Sequence, residues 1–440
     1  MPSPRTPIFR QEYDWNAAEK SYIISSFFWG YLITQFMGGY LCKLFGVKRV
    51  MIWATFCSGV CSAVTPPLIN WSGWGAYCGI RVIMGCAQGV IFPSMHQHLA
   101  RWSPPEERNR LGALTYTGIE FGNVLSMFGS GMIARSPMGW PGISYISAAV
   151  VFACCILWFI FGSNNATESR FIGEAERNYI ESSLQHGENY YKAIIPIPWR
   201  AIWTSVPFLA LLATRCAAIY GISTLQAEIP AYMNGVLQMD IKENALFSAL
   251  PFVASWTMAY IFLIASDILL KKKWLSLTAI RKTFNSLAFW ISAATLIGIG
   301  FLDMEQKSLA IVLMTLSVGI HSGATIGSSI NTIDLSANHA SILMGIIQTA
   351  STGMSIITPL IAGAIVTNKG DRSQWQIVFI ITAVIFIVFN CIYVAFGKAV
   401  TQPWDAEDFL LDSQPKLARP PSKTTKLEKL EENKAISNNS

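Results

Sequence analysis

Three features of the sequence predict an all-α membrane protein that crosses the bilayer eleven times. The chain has 440 residues, of which 52% are hydrophobic and only 13% are charged. Soluble domains carry about 25% charged residues. The hydrophobic fraction of this chain is therefore larger than a soluble core accommodates. The apolar residues form runs of about 20, the length that crosses a bilayer as a helix. The basic residues concentrate in alternate connecting loops.

The predicted spans form a group of five and a group of six. A polar segment at 1–20 precedes an N-terminal bundle at 21–162, and a cytoplasmic linker at 163–202 leads to a C-terminal bundle at 203–398. The charged tail at 399–440 is predicted to be disordered and cytoplasmic. We place the spans at 21–42, 50–69, 76–100, 110–133, 143–162, 204–228, 245–270, 284–302, 308–330, 342–366 and 375–397.

Loop charges predict the orientation, because Lys and Arg favour the cytoplasmic side. One set of alternate loops holds fifteen basic residues and the other set holds five. The first set is therefore predicted to be cytoplasmic, which places the N-terminus outside and the C-terminus inside. The larger set is Lys43, Lys48, Arg49, Arg101, Arg108, Arg110, Arg170, Arg177, Lys192, Arg200, Lys271, Lys272, Lys273, Arg281 and Lys282.

Composition and motifs argue against several other classes of protein. The net charge of +6 is small and lies in loops, so nucleic-acid binding is not indicated. The nine cysteines lie mostly in apolar runs without the spacing of metal ligands. The chain has no phosphate-binding loop, nucleotide-binding fingerprint or nucleophile motif. We therefore expect neither an enzyme nor a metal or organic cofactor.

Two basic turns occupy corresponding positions in the two predicted bundles. One is Gly39–Arg49 after the first span, and the other is Asp267–Lys273 after the seventh. Such a repeat is typical of a two-bundle transporter with its site between the halves. Ordinary cytoplasmic anchoring explains the lysines but leaves the glycine spacing unexplained.

Several motifs carry a resemblance to a known family. They are Ser25–Gly39, Phe92–His96, Arg101–Arg108, Asn331–Leu335, Leu343–Ile346, Trp375–Phe379 and Gln402–Trp404. Over about residues 13–404 the chain resembles the major facilitator superfamily. Its motifs are most similar to those of the anion carriers that include type I phosphate cotransporters, sialin and the vesicular glutamate transporters, especially the insect group labelled inorganic phosphate cotransporters.

The resemblance implies a fold and an activity. It implies a two-bundle secondary active transporter in a plasma, endolysosomal or vesicular membrane that moves a small anion by alternating access. The leading substrate is inorganic phosphate with Na⁺ or H⁺; the alternative is a glutamate-like or acidic-sugar anion. The segment at Tyr13–Asn16 matches a family loop that follows helix one. The first family helix is therefore expected to be absent, and a transport-deficient product is a third possibility.

Two arginines are candidates for anion binding. Arg81 lies 20 residues before Arg101, about 30 Å along a helix, and its family counterpart is implicated in anion binding or coupling. The alternative is that Arg81 extends to the membrane interface. Arg215 occupies a region where relatives often carry a basic residue, and the alternative is a salt bridge to Glu228 or to another cavity carboxylate.

Two amides remain candidates where the chain departs from its relatives. A histidine common after Asn331 in the family is Thr332 here, and a usual Thr-Asn pair is Ile347-Gln348. Asn331 and Gln348 are still able to hydrogen-bond a substrate. For Asn331 and Asp334, however, a helix cap or gate is the stronger interpretation.

His96 is a candidate for proton transfer, because an imidazole titrates near neutral pH. It lies five residues before Arg101, near the cytoplasmic end of its span. The alternative is a structural hydrogen bond close to the lipid headgroups.

Gln88 and Glu120 suggest that a coupling carboxylate has changed position. Many relatives carry glutamate at the first position and glutamine at the second, and here the two are exchanged. We expect both side chains near the midplane on adjacent antiparallel helices, at depths that differ by about 5 Å. The alternative is that Glu120 bonds across a packing face formed by Gly118 and Gly122.

The remaining candidates concern conformational change. The basic turn of the first half supplies Gly39, Gly46, Lys48 and Arg49. Asp267, at the cytoplasmic end of its span, is assigned to the conformational latch of the second half. Asp334 joins this set as a cap or gate.

Overall fold

Helices cover the predicted spans from end to end. The computed structural model describes residues 15, 17–184, 197–236, 241–302, 306–368, 370–406 and 409. In the N-terminal part the helices are α1 Ala17–Phe45, α2 Val47–Gly89, α3 Ile91–Trp102, α4 Arg108–Arg135, α5 Gly139–Phe161 and α6 Glu174–Leu184. In the C-terminal part they are α7 Trp199–Thr204, α8 Val206–Gly235, α9 Ile241–Lys271, α10 Leu277–Ser286, α11 Ser292–Gly300, α12 Lys307–His321, α13 Asn331–Leu335, α14 Ala340–Ile365 and α15 Arg372–Phe396.

Two of the predicted spans lie within α2 and α3. The helix is broken at Gly73, whose φ of 70° and ψ of −157° are not helical. Val50 and Val90 nevertheless belong to one buried cluster, so the chain reverses direction between them. Glycine tolerates this positive φ without a Cβ clash. The stretch Val47–Trp102 is therefore a helical hairpin, as the separate spans at 50–69 and 76–100 predict.

Short π-helical segments join the pieces of two further spans. Leu287–Ile291 connects α10 to α11, and Thr325–Ser329 lies between α12 and α13. Counted with these connections, the helices coincide with all eleven predicted segments. In the described part of the chain, eight segments are both long and apolar enough to cross a membrane, with Val47–Trp102 counted as one.

The outer helix surfaces are apolar, as lipid contact requires. On α5, Ile156, Leu157, Phe159 and Ile160 are all exposed. Within the C-terminal helices a cluster that includes Phe289, Phe379 and Phe386 is fully buried. The chain therefore buries an apolar core and also presents apolar side chains outward, the pattern of a helix bundle in a bilayer.

The segment after α15 is ordered, which corrects the predicted start of the disordered tail at 399. Residues Pro403–Asp405 form a short 3₁₀ turn with Trp404 and Asp405 buried. Gln402 donates its backbone N–H to the carbonyl of Leu335 at 2.9 Å. The tail beyond 409 lies outside the described residues, as do the predicted polar residues 1–14.

Candidate functional site

The N-terminal and C-terminal helices meet at one end, which we call the basic end: the end at which α1 finishes, α3 finishes and α4 begins. There the Ser341 hydroxyl oxygen of α14 lies 2.8 Å from Gln97 Oε1 and 3.2 Å from the Gly39 carbonyl oxygen, and its single proton is shared between the two acceptors. A Cβ on Gly39 would lie 2.5 Å from the Ser341 carbonyl oxygen. Glycine at position 39 therefore permits backbone contact between α1 and α14.

A buried polar network joins α4 to the C-terminal helices. Arg281, only 1% exposed, pairs with Asp334 at 2.8 Å and donates to Asn109 Oδ1 at 2.7 Å. Asn109 in turn donates to Ser266 at 3.1 Å. The network holds the start of α4 against α9, α10 and α13. The gating interpretation of Asp334 agrees with this position.

The burial of Arg281 corrects its assignment to a cytoplasmic loop. Ser276 is the N-cap of α10, and its hydroxyl accepts from the Ala279 backbone N–H at 3.2 Å. Arg281 therefore lies on the second turn of a helix, facing inward. The serine after the lysine run was the available sequence signal, because serine is a favoured N-cap residue.

His96 connects the N-terminal helices to the C-terminal helices. Its Nε2 lies 2.7 Å from the Tyr116 hydroxyl on α4, and its Nδ1 lies 2.7 Å from the Thr332 hydroxyl on α13. The imidazole is completely buried. Its contacts are thus protein side chains, and Thr332, which replaces a family histidine, supplies one of them.

A cavity of about 160 Å³ lies beside Tyr116, between the N-terminal and the C-terminal helices. Several of its lining groups come from α4, α8, α9, α12 and α14. The polar lining residues are Tyr116, Glu120, Arg215, Ser255, His321, Ser322, Thr325, Ser329 and Gln348. Three predicted site residues, Glu120, Arg215 and Gln348, therefore share one cavity.

Arg215 supplies the cavity with a buried positive charge. The side chain is 7% exposed, and its Nε atom has no hydrogen-bond partner among the described residues. It forms no ion pair in the described part of the chain, so the alternative salt bridge to Glu228 is not seen. A buried cation without a carboxylate is costly unless a ligand or water compensates it.

Gln348 and Glu120 add polar groups of different kinds. The Gln348 Oε1 atom is buried without a described partner. The Glu120 carboxyl faces Ser255 of α9 and Asn123 of its own helix. The cavity thus offers a fixed cation, an amide oxygen without a described partner and a carboxyl, which suits an anion that carries a proton.

Gln88 lies outside the lining of this cavity, contrary to its expected position beside Glu120. The helix breaks after Gly89, and Phe92 rather than Gln88 reaches the cavity. Glu120 faces α9 through Ser255, not α2. The proposed exchange of a carboxylate between positions 88 and 120 stays a prediction, and the expected proximity of Gln88 to Glu120 is not seen.

Two pairs of glycines, one on α2 and one on α4, differ in what packs against them. Cβ atoms on Gly85 or Gly89 would overlap the α1 backbone at Phe27 and Tyr31. At Gly118 and Gly122 a Cβ would meet nothing within 4 Å. The first pair is a close helix contact, whereas no described residue packs against Gly118 or Gly122, so the packing face expected there is not formed in the described part of the chain.

Arg81 and Asn331 lie outside the cavity lining. Arg81 donates to the Ile23 carbonyl at 3.2 Å and its guanidinium lies 5.3 Å from the centre of the Phe27 ring. Asn331 donates to the Tyr393 hydroxyl at 2.8 Å and to the Lys398 carbonyl at 3.1 Å. Both roles in anion binding stay predictions, and in this conformation both side chains contact protein.

The other predicted gating residues have separate surroundings. Gly46 has a φ of 80° and begins α2, where Asn164 Oδ1 accepts from the Lys48 backbone N–H at 3.0 Å. Arg49 lines a groove on α1 and α2. Asp267 pairs with Lys271 one turn later at 2.9 Å. This pair lies within α9, and the assignment of Asp267 to the conformational latch of the second half stays a prediction.

Lys43 and the C-terminal segment form a second contact at the basic end. Lys43 Nζ lies 2.7 Å from His339 Nδ1, and the Trp404 ring centre lies 6.3 Å from that of His339. Asp405 accepts from the Ser336 hydroxyl and from the Asn338 backbone N–H at 3.1 Å. Burial raises the pKa of Asp405 to about 6 despite these hydrogen bonds.

Sequence reasoning missed His321, Tyr116 and Asp405 as residues of these sites. His321 lies in an apolar run, and the sequence shows no partner for it. Tyr116 was readable as a core aromatic at helical spacing. Within the described residues, no group of three His, Cys, Asp or Glu side chains is arranged to hold a metal ion.

Comparisons with known proteins agree with this arrangement. The chain is 34% identical over 398 residues to a Drosophila ananassae protein named "Putative inorganic phosphate cotransporter", covering 90% of this chain and 82% of that protein. It is 31% identical to sheep (Ovis aries) sialin over 90% of this chain and 79% of sialin. It is 30% identical to vesicular glutamate transporter 3 of Danio rerio, over 89% of this chain and 66% of that protein.

Solved structures share the fold at low sequence identity. The proton:xylose symporter XylE superposes with a TM-score of 0.69 and 14% identity, covering 91% of each chain. A bacterial homologue of ferroportin in an outward-facing state gives a TM-score of 0.64 at 11% identity, covering 87% of this chain and 91% of that one. The family model described as Major Facilitator Superfamily matches residues 1–359. The chain is therefore a member of the major facilitator superfamily, a multi-pass membrane transporter related to the phosphate cotransporters, sialin and the vesicular glutamate transporters.

Proposed function

We propose that this transporter moves inorganic phosphate, with a proton or Na⁺, by alternating access through the cavity around Arg215. The observation that carries the proposal is the buried guanidinium of Arg215, which faces a small cavity without an ion pair among the described residues. Arg suits this role because its planar donors match oxyanions and it stays charged.

Cavity size supports a small substrate. Pockets for drug-sized ligands measure about 300–1,000 Å³, whereas this cavity measures about 160 Å³. Inorganic phosphate is smaller than glutamate or an acidic sugar. The names of the insect relatives support the same substrate.

The contacts at the basic end support one state of an alternating cycle. Ser341 with Gln97, Arg281 with Asn109, and His96 with Thr332 all join N-terminal to C-terminal helices there. Those contacts have to separate for the substrate to leave on that side. Because the loop charges predict that side to be cytoplasmic, we infer a state closed toward the cytoplasm.

Uptake by the purified chain in liposomes tests the proposal. We expect saturable uptake of radiolabelled phosphate that increases with an imposed proton or Na⁺ gradient. Unlabelled glutamate, which appears in the name of one group of relatives, and an acidic sugar serve as competitors. Uptake of either organic anion in preference to phosphate would contradict the proposed substrate, and uptake independent of both gradients would contradict the coupling.

A further inference from the structure

We infer that His321 determines substrate specificity by accepting a hydrogen bond from a protonated oxygen of the anion, so that hydrogen phosphate binds and sulfate is rejected. The inference rests on the proposed function and adds to it a residue and a chemical requirement. It begins from a ring nitrogen that the protein leaves unpaired.

Aromatic packing fixes the orientation of the His321 ring. The ring centre lies 5.9 Å from that of Phe289, with the planes 23° apart, and 5.3 Å from that of Phe386, with the planes 32° apart. A Cβ on Gly221 would collide with the Phe386 ring, so glycine at that position permits the packing. The centres of the two phenyl rings are themselves 4.9 Å apart, so both rings pack on the same side of the imidazole, which also lines the cavity.

The His321 Nδ1 atom lacks a partner in the described part of the chain, although the residue is only 7% exposed. A buried polar atom left unpaired costs about 1–3 kcal/mol. His321 lines the same cavity as Arg215 and Gln348, each of which also has a buried polar atom without a described partner. Three such atoms around one cavity indicate a binding site for a polar ligand.

The tautomer gives the site its selectivity. The Ala218 backbone carbonyl lies within hydrogen-bonding reach of the His321 ring. Because Nδ1 has no partner, we assign the ring proton to Nε2, which donates to that carbonyl. Nδ1 is then the nitrogen with a free lone pair in a ring that lines the cavity, and a neutral histidine nitrogen of this kind accepts a hydrogen bond.

A lone pair next to Arg215 selects among anions. The charged groups that line the cavity are Arg215 and Glu120, contributed by α8 and α4. Arg215 favours a negative ligand, while Nδ1 repels an unprotonated oxygen and accepts a P–OH group. Hydrogen phosphate carries such a proton at neutral pH, whereas sulfate does not. One proton therefore enters the site with each anion, shared between the phosphate oxygen and Nδ1.

Replacement of His321 by asparagine tests this requirement. The asparagine amide either donates or accepts a hydrogen bond, so it admits both anions. We expect sulfate to inhibit phosphate uptake by His321→Asn at least about tenfold more strongly than uptake by the wild type, because sites built around one hydrogen-bonded group discriminate by large factors. His321→Phe, which offers no acceptor, is expected to raise KM for phosphate and leave the maximal rate less affected.

Ser317→Ala is the matched control. Ser317 lies on the same helix, is fully buried and has a hydroxyl without a described partner, but it is outside the cavity lining. It should keep the wild-type ratio of phosphate to sulfate affinity. An unchanged ratio in His321→Asn, in a chain that transports phosphate, would contradict this inference alone. Absence of phosphate uptake by the wild type would contradict the proposed function and this inference together.

Discussion

Lys43 Nζ and His339 Nδ1 lie 2.7 Å apart, although 296 residues separate them in the chain. Lys43 ends α1 and His339 precedes α14, so the contact joins the N-terminal and C-terminal helices. A lysine ammonium donates only, which requires His339 Nδ1 to be the acceptor and the ring to be neutral. This contact makes closure of the basic end sensitive to acid.

His339 should lose its stabilising contribution on acidification. Burial, and then the Lys43 charge, lower the pKa of His339 to about 3, compared with about 6.5 in an unfolded chain. A lowered pKa means that the contribution is complete above pH 6.5 and is lost as the pH falls toward 3. We expect the thermal midpoint of the wild type to be lower at pH 5 than at pH 7.5. In His339→Gln this decrease should be smaller by on the order of 2 °C. Thr204→Ala, an exposed substitution, is the control, and equal pH responses of His339→Gln and wild type would contradict the assignment.

Asp405 should respond to pH in the opposite direction. Its pKa is raised by burial to about 6, compared with about 3.9 unfolded. Docking of Gln402–Asp405 is therefore favoured below about pH 4 and weakens as the pH rises through 6. Hydrogen exchange of the segment, corrected for intrinsic rates, should show less protection at pH 7.5 than at pH 5. In Asp405→Asn, which does not ionise, we expect similar protection at both values; a wild-type pH response in this variant would refute the role of the carboxyl.

Arg281 and Asp334 should be strongly coupled in stability. Removal of one member of a buried ion pair typically costs about 3–5 kcal/mol, because the other charge remains buried. We expect Asp334→Asn and Arg281→Gln each to lower the denaturant midpoint severely and the double variant to be less unstable than the sum of the two. Asp267→Asn, which breaks the pair with the exposed Lys271 ammonium, should have a smaller effect, because that pair is open to solvent on the lysine side. Strict additivity of the two buried substitutions would contradict a coupled pair.

Gly39 should control closure of the basic end. A Cβ there would press on the Ser341 carbonyl at 2.5 Å, and one on Gly345 would press on the Gln35 carbonyl at 2.8 Å. We expect Gly39→Ala to shift the population away from the closed conformation and to expose a cysteine placed at Ser341 to a polar thiol reagent. Gly118→Ala, at a position where a Cβ meets nothing within 4 Å, is the control. Equal labelling rates in the two variants would show that close approach at Gly39 is unimportant.

The sequence predicted the helices better than their contacts. Apolar runs of spanning length locate a bilayer helix directly, so all eleven segments coincide with helices. Glu120, Arg215 and Gln348 were found because a resemblance pointed to them, and the fold brings them to one cavity. The contacts of Arg281 with Asn109 and of His96 with Thr332 join residues 172 and 236 positions apart. No spacing rule relates residues that distant, and for the same reason the sequence alone predicts a loop position for Arg281 and a position beside Glu120 for Gln88.

Equilibrium binding of radiolabelled phosphate to the purified chain tests the central claim most directly. The account predicts saturable binding by the wild type, loss of binding in Arg215→Gln because the buried cation of the cavity is removed, and retention in Arg81→Gln because Arg81 contacts Ile23 and Phe27 instead. Binding by Arg215→Gln with wild-type affinity, or loss of binding in Arg81→Gln alone, would contradict the assignment of the site.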